Sequence, residues 1–260
     1  MDDKISSRTI VFIHGLFMNP VSWTGWVKFF QEKGFICHSP GYPFHDGNPE
    51  TLRRLIDPDL RKLSLGQVID NLSEYIDLLP EKPVLIGHSM GGLAVQKLIE
   101  MDKGVAGICI DPAPPAGIFS FKWSFLKANL STINPLKGNS VCLPGVKWFH
   151  YAFCNTMTMG QTENEYNRLV VPESRNIARS STKNDGRIDF SKPHKPLLII
   201  AGEKDNIVPS SLIKKNFEAY TEKNSRTDFR EFEGRTHFIC GQPGWQEVAT
   251  YINEWIEFLS

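Results

Sequence analysis

Six short apolar runs, at residues 9–13, 34–37, 83–86, 105–110, 196–201 and 229–232, alternate with stretches whose apolar residues recur at helical spacing. Continuous apolar runs of this length suit strands buried on both faces of a parallel sheet. Residues 20–33 carry Trp23, Trp26, Val27 and Phe30 at helical intervals. Ser64 is placed to cap the next helix, with Gln67 three residues on as its capping-box partner. Leu65, Val68, Ile69, Leu72, Ile76 and Leu79 then mark one apolar face, and Pro80 ends it. Trp245, Val248, Ala249, Ile252, Trp255, Ile256 and Leu259 repeat the pattern at the end of the chain. Strands alternating with helices predict βαβ units: one parallel sheet with helices on both faces. The 260 residues suffice for one such domain with an insertion.

The rhythm breaks between residues 113 and 193. This stretch is rich in aromatics and Met: Phe119, Phe121, Trp123, Phe125, Trp148, Phe149, Tyr151, Phe153, Met157 and Met159. A long insertion after the C-terminal end of a strand sits where open α/β sheets bind ligands. The expected organisation is a core of residues 1–112 and 194–260 with a helical cap of residues 113–193. Most of the cap aromatics are expected to form its own small core. A minority should face a ligand, because small-molecule pockets are lined mainly by apolar side chains.

Lys plus Arg and Asp plus Glu both number 29, so the net charge is zero. A neutral total suggests neither nucleic acid nor an anionic membrane surface as a partner. No apolar run approaches the roughly 18 residues of a membrane span. The polar, acidic start from Met1 to Ile10 lacks the pattern of a signal peptide. Cysteines at 37, 109, 142, 154 and 240 form no Cys-x-x-Cys pair. Free thiols in a reducing cytoplasm are the expectation, with a Cys142–Cys154 disulfide in a secreted protein as the alternative. His38, His45, His150 and His194 share no metal-ligand spacing. No metal and no cofactor are predicted.

The strongest chemical signal is Gly87-His88-Ser89-Met90-Gly91-Gly92. It follows the run at 83–86 directly and precedes a helix-like run with Leu93, Val95, Leu98 and Ile99. Strand, Gly-x-Ser-x-Gly, helix describes a nucleophile elbow. The turn is so tight that the serine takes a strained backbone conformation, and the flanking glycines leave room for neighbouring backbone. The helix starting there points its positive end at the reacting centre.

With these residues in view, the chain resembles the α/β-hydrolase superfamily over nearly its whole length. His14-Gly15-Leu16-Phe17, with Trp23 downstream, resembles the oxyanion loop of that family. Residues 87–92 resemble its elbow. Ala201-Gly202-Glu203-Lys204-Asp205 resembles the acid loop after the penultimate strand, and Gly234-Arg235-Thr236-His237-Phe238 the loop carrying the histidine. The order Ser, Asp, His is that of the family.

The resemblance implies roles. Ser89 attacks an acyl carbon, His237 takes and returns the proton, and Asp205 fixes the imidazole tautomer. The backbone N–H groups of Leu16 and Met90 form the oxyanion hole, with Phe17 as the rival to Leu16. Asp111, at the end of the run 105–110, is the rival to Asp205. His14 and His88 are expected to be structural. Only eight residues precede Thr9, too few for the antiparallel hairpin that opens many members of the family. About six, mainly parallel strands are therefore expected.

The implied activity is hydrolysis of a small to medium hydrophobic carboxylic ester. A lactone, a thioester or a carbon–carbon bond would use the same residues. A serine at the elbow argues against haloalkane dehalogenase and epoxide hydrolase chemistry, which uses a carboxylate nucleophile. A hydroxynitrile lyase is a further alternative. Such lyases carry a lysine near the histidine, whereas the neighbours of His237 here are Thr236 and Phe238, with Arg235 the closest cation. A slow-turnover ligand receptor is the last alternative. A homodimer is left open.

Overall fold

The structure is a computed structural model that describes residues 4–260. The polar start at Met1, Asp2 and Asp3 lies outside the described residues. Six strands form the main sheet: β1 Thr9–Ile13, β2 Ile36–His38, β3 Val84–His88, β4 Ala106–Ile110, β7 Leu197–Gly202 and β8 Thr227–Phe232. Their order is β2-β1-β3-β4-β7-β8, and every neighbouring pair is parallel. All six predicted runs are strands. The second starts two residues later than expected, because Gly34 and Phe35 close the preceding helix by bonding back to Gln31 and Phe30.

The strand pleat divides the core into two layers. Val11 and Ile13 of β1, with Leu197, Ile199 and Ala201 of β7, face one apolar cluster. Helices α3 Leu65–Asp77, α4 Met90–Glu100 and α9 Ser210–Ala219 cover that side. Ile10, Phe12, Leu198 and Ile200 face the other, covered by α1 Thr24–Gln31 and α10 Gln246–Phe258. Each fully buried Leu, Ile or Phe here contributes about 1.5–3 kcal/mol relative to exposure. The capping box at Ser64 is present, Ser64 Oγ accepting from Gln67 N and Gln67 Oε1 from Ser64 N.

A short α2 (Pro49–Arg54) lies between β2 and α3. The segment between β4 and β7 contains α5 Trp123–Ile133, β5 Val141–Cys142, α6 Val146–Ala152, α7 Met159–Leu169, β6 Glu173–Ser174 and α8 Arg175–Ser181. Strands β5 and β6 pair antiparallel as a separate two-stranded sheet, which no hydrophobic pattern announced. A third apolar cluster ties this segment to the core: Phe149, Ala152, Phe153, Leu169 and Val170 pack with Phe17, Met18 and Phe238. Cys142 and Cys154 are both buried, and all five cysteines are free. No helix among the described residues is long and apolar enough to cross a membrane.

The aromatics of the segment divide differently from expectation. Phe149 and Phe153 are buried in its core, but Phe119, Phe121 and Trp123 are exposed. They precede or open α5, beyond the reach of the cluster around Phe149.

Candidate active site

Ser89 occupies the turn between β3 and α4 with φ 56° and ψ −119°, a conformation costly for a residue with a side chain. The sheet compels it. β3 lies between β1 and β4, and Ser89 N–H donates to the Ile110 carbonyl at 2.9 Å. A Cβ on Gly87 would come within 2.2 Å of the Gly91 carbonyl oxygen, and a Cβ on Gly91 within 2.2 Å of the Ile13 carbonyl oxygen. Glycine is thus required at both positions by backbone contact across the turn.

His237 lies in the turn between β8 and α10, and its side chain is fully buried. Nε2 is 2.9 Å from Ser89 Oγ and Nδ1 is 2.6 Å from Asp205 Oδ2. Asp205 follows β7, and its Oδ1 accepts from Ile207 N at 2.6 Å and Val208 N at 2.8 Å. Three chain segments far apart in sequence therefore meet in one hydrogen-bonded series, Asp205–His237–Ser89. Burial lowers the His237 imidazole to about 3, so the resting ring is neutral and Nε2 can accept a proton.

Asp111 is placed differently. It sits at φ 43° after β4, and its Oδ1 accepts from Gly202 N at 2.6 Å. Its Oδ2 is buried without a partner, and it makes no hydrogen bond to His237 among the described residues. Burial first, and the charge of Asp205 second, push the Asp111 carboxyl well above the usual range. Burial also raises Asp205, against the pull of the Val208 and Ile207 N–H groups. Two carboxyls so close do not both stay ionised. Asp205, with donors on both oxygens, is the better host for the charge, and Asp111, with one donor, for the proton.

Two histidines outside the series hold its surroundings. His88 Nε2 lies 2.8 Å from the His237 carbonyl oxygen, and the two rings are 4.8 Å apart, so the elbow's second residue props the histidine loop. His88, Asp111 and His237 bring ligand atoms within 4.8 Å of one another, but His88 Nε2, Asp111 Oδ1 and both nitrogens of His237 have protein partners. His14 lies under the Gly15 turn. Its Nε2 accepts from Tyr42 N at 3.2 Å, and its carbonyl accepts from the Tyr42 hydroxyl. Burial, then neighbouring His45, lower its pKa to about 3.

Leu16, Phe17 and Met90 all border the cavity beside Ser89. No acceptor for the backbone N–H of any of them is present among the described residues. Phe17 adopts φ 65°, and its carbonyl accepts from Val171 N at 2.9 Å, which fastens this loop to the inserted segment. Below it, His45 Nε2 is 3.2 Å from Glu173 Oε2, both side chains essentially inaccessible. Burial alone would lower the His45 imidazole, but the Glu173 charge and hydrogen bond raise it above its ordinary value. This buried pair joins the loop after β2 to β6. Sequence reading missed it, because neither residue stands in a recognisable motif.

The cavity has a volume of about 370 Å³. Its floor includes Ser89, Met90 and Leu16, and its walls come from the inserted segment: Phe125, Trp148, Phe153 and Ile133 among them. No charged side chain lines it. Its polar wall groups are largely satisfied locally: Ser181 Oγ donates to Ala178 O and Thr182 Oγ1 to Arg179 O. Asn129 Nδ2 donates to the carbonyls of Phe125 and Ile207.

Solved structures with this architecture are numerous. A monoacylglycerol lipase from Paleococcus ferrophilus superposes with a TM-score of 0.70 at 24% identity, covering 97% of this chain and 95% of its own. Tomato methylketone synthase I, in a complex with β-ketoheptanoate, gives 0.72 at 16% identity, over 98% and 100%. A methylesterase from Arabidopsis gives 0.68 at 15%, over 96% and 99%. At these identities the likeness concerns the fold. No curated protein matches the sequence. A family model described as the alpha/beta hydrolase family matches residues 10–249. With a six-stranded parallel sheet, a strained serine at its elbow and a family match over nearly all of its length, this chain belongs to the alpha/beta hydrolase family.

Proposed function

We propose that the chain is a serine hydrolase that cleaves a small to medium hydrophobic carboxylic ester through an acyl-enzyme. The observation that carries this reading is the unbroken series Asp205–His237–Ser89 opening on an uncharged cavity of about 370 Å³. An ester fits an apolar site of this size because it carries no charge to desolvate.

In this reading Ser89 Oγ attacks the acyl carbon while its proton passes to His237 Nε2. The carbonyl electron pair moves to oxygen, where the N–H groups of Leu16 and Met90 meet it. Removing one such donor costs about 2.7–4 kcal/mol. Asp205 accepts from Nδ1–H and stabilises the imidazolium. The intermediate collapses, the alcohol leaves with the proton from Nε2, and Ser89 remains acylated. A water then attacks the acyl carbon, giving its proton to Nε2. Collapse returns that proton to Ser89 and frees the acid. Residues 113–193 act as the cap, supplying most of the acyl pocket.

The absence of lysine from the cavity lining speaks against the hydroxynitrile lyase alternative. The test is hydrolysis of p-nitrophenyl esters from acetate upward by wild type and Ser89→Ala. Serine-dependent release with a chain-length optimum supports the reading. A folded wild type that releases no nitrophenol from any ester overturns it.

A further inference from the structure

The zero net charge conceals a segregation. Residues 112–162 contain four lysines, at 122, 127, 137 and 147, and no Asp, Glu or Arg. All four lysines are exposed, and none pairs with a carboxylate among the described residues. The same stretch carries a concentration of exposed apolar side chains. Phe121 is 79% exposed, Trp123 75%, Leu130 73% and Leu136 93%.

Helix α5 shows why this is not ordinary surface scatter. Phe125, Asn129, Thr132 and Ile133 form the stripe that lines the cavity. Trp123 and Leu130, seven residues apart and so on one face, point away from it into solvent. A helix apolar on both sides normally has cover on both sides. Here the outer side has none, and its flanks are lysines. Phe119 joins the two surfaces, since it lines the cavity and is also 53% exposed. The exposed patch therefore adjoins the cavity at Phe119.

From this we infer that the outer face of α5, with Phe121 and Leu136 beside it, docks on an anionic lipid surface. Aromatic and aliphatic side chains enter the acyl boundary while lysines meet the headgroups. Charge decides between this occupant and a second copy of the chain. Two faces carrying lysines without carboxylate partners repel when apposed, whereas the same lysines, Lys127 lying over the Tyr151 ring included, add to attraction by an anionic headgroup layer. Docking in this orientation places the mouth beside Phe119 against the lipid. The inference is independent of the ester reading, because it concerns binding and not turnover.

The experiment is co-sedimentation of the full chain with vesicles of phosphatidylcholine alone and with 30% phosphatidylglycerol, at low and at 0.5 M salt. Wild type is expected to pellet with the anionic vesicles, less at high salt, and weakly with the neutral ones. Trp123→Ser with Leu130→Ser should lower the partition by at least about tenfold. The triple variant Lys122→Gln, Lys127→Gln and Lys137→Gln should lower it on the order of a hundredfold. Hydrolysis of a short soluble ester, and the melting temperature, should be the same in all of these chains. The inference is overturned if wild type stays in the supernatant with anionic vesicles at low salt, or if the variants pellet as well as it does. A concentration-dependent dimer by light scattering, abolished by Trp123→Ser with Leu130→Ser and without vesicle binding, assigns the face to a second copy instead.

Discussion

Every residue of β1, β3, β4 and β7 is buried, whereas the segment between β4 and β7 leaves Phe121, Trp123, Leu130 and Leu136 in solvent. The two regions also differ in how their polar groups are held. The sheet supplies a backbone ladder that aims the ends of β3 and β7, with the loop after β8, at one point. The inserted segment has two residues of strand on each side of its own small sheet and relies on tertiary ties. Those ties include the Phe17 carbonyl to Val171, the Arg53 guanidinium to the carbonyls of Asn167 and Val170, and the buried His45–Glu173 pair. Sheet elements hold Ser89, Asp205 and His237 together, and the inserted segment supplies most of the cavity wall beside them.

Substitutions separate the contributions of the two regions. The greatest effect belongs to the sheet. Ser89→Ala should lower kcat on the order of 10⁶-fold with folding intact, measured with a soluble ester and by circular dichroism. Substantial residual turnover would remove Ser89 from the chemistry. Asp205→Asn should cost on the order of 10⁴-fold in kcat, since an amide holds the wrong imidazole tautomer. Asp111→Asn should cost far less, as Asp111 bonds Gly202 and not the ring. The opposite ranking would move the acid to Asp111.

The next effect belongs to the tie between the regions. Glu173→Ala leaves the buried Nε2 of His45 without its partner, Nδ1 keeping the Pro43 carbonyl, and should destabilise by about 3–5 kcal/mol in urea unfolding. Its pH dependence has a definite sign. The folded His45 pKa lies above its ordinary value of about 6.5. The stabilisation is therefore complete below that value and is lost as pH rises through the raised one. The wild-type advantage over Glu173→Ala should shrink on that rise. His14, facing His45 at a ring distance of 5.5 Å, stays neutral throughout, and Asp46 adds to the upward shift. A constant difference from pH 5 to 9 would show that the pair does not titrate.

The smallest effect is in the wall. Trp148→Ala enlarges the cavity on the side of the inserted segment and should move the chain-length optimum of p-nitrophenyl esters upward, with roughly tenfold or smaller changes in kcat/KM. An unchanged optimum would place the acyl chain elsewhere.

The sheet was legible because its signals are local. A run such as Thr-Ile-Val-Phe-Ile is buried on both sides wherever it sits in a parallel sheet, and the capping box at Ser64 needs only residues 64 and 67. The elbow was legible because close backbone contact leaves glycine as the sole fit at Gly87 and Gly91. The wall of the cavity was half legible: aromatic richness pointed to it, but no periodicity told Phe153, buried, from Trp123, exposed.

What the sequence determined by itself is the order of elements and the residue types at the elbow, the acid loop and the histidine loop, each written within a few neighbouring positions. The tertiary structure alone decided that Asp205 and not Asp111 bonds His237, that His88 braces the histidine loop, and that His45 pairs with Glu173 across 128 positions. Each of these depends on which distant side chains the fold brings within hydrogen-bond reach, and separation in space is a quantity that separation in sequence does not encode.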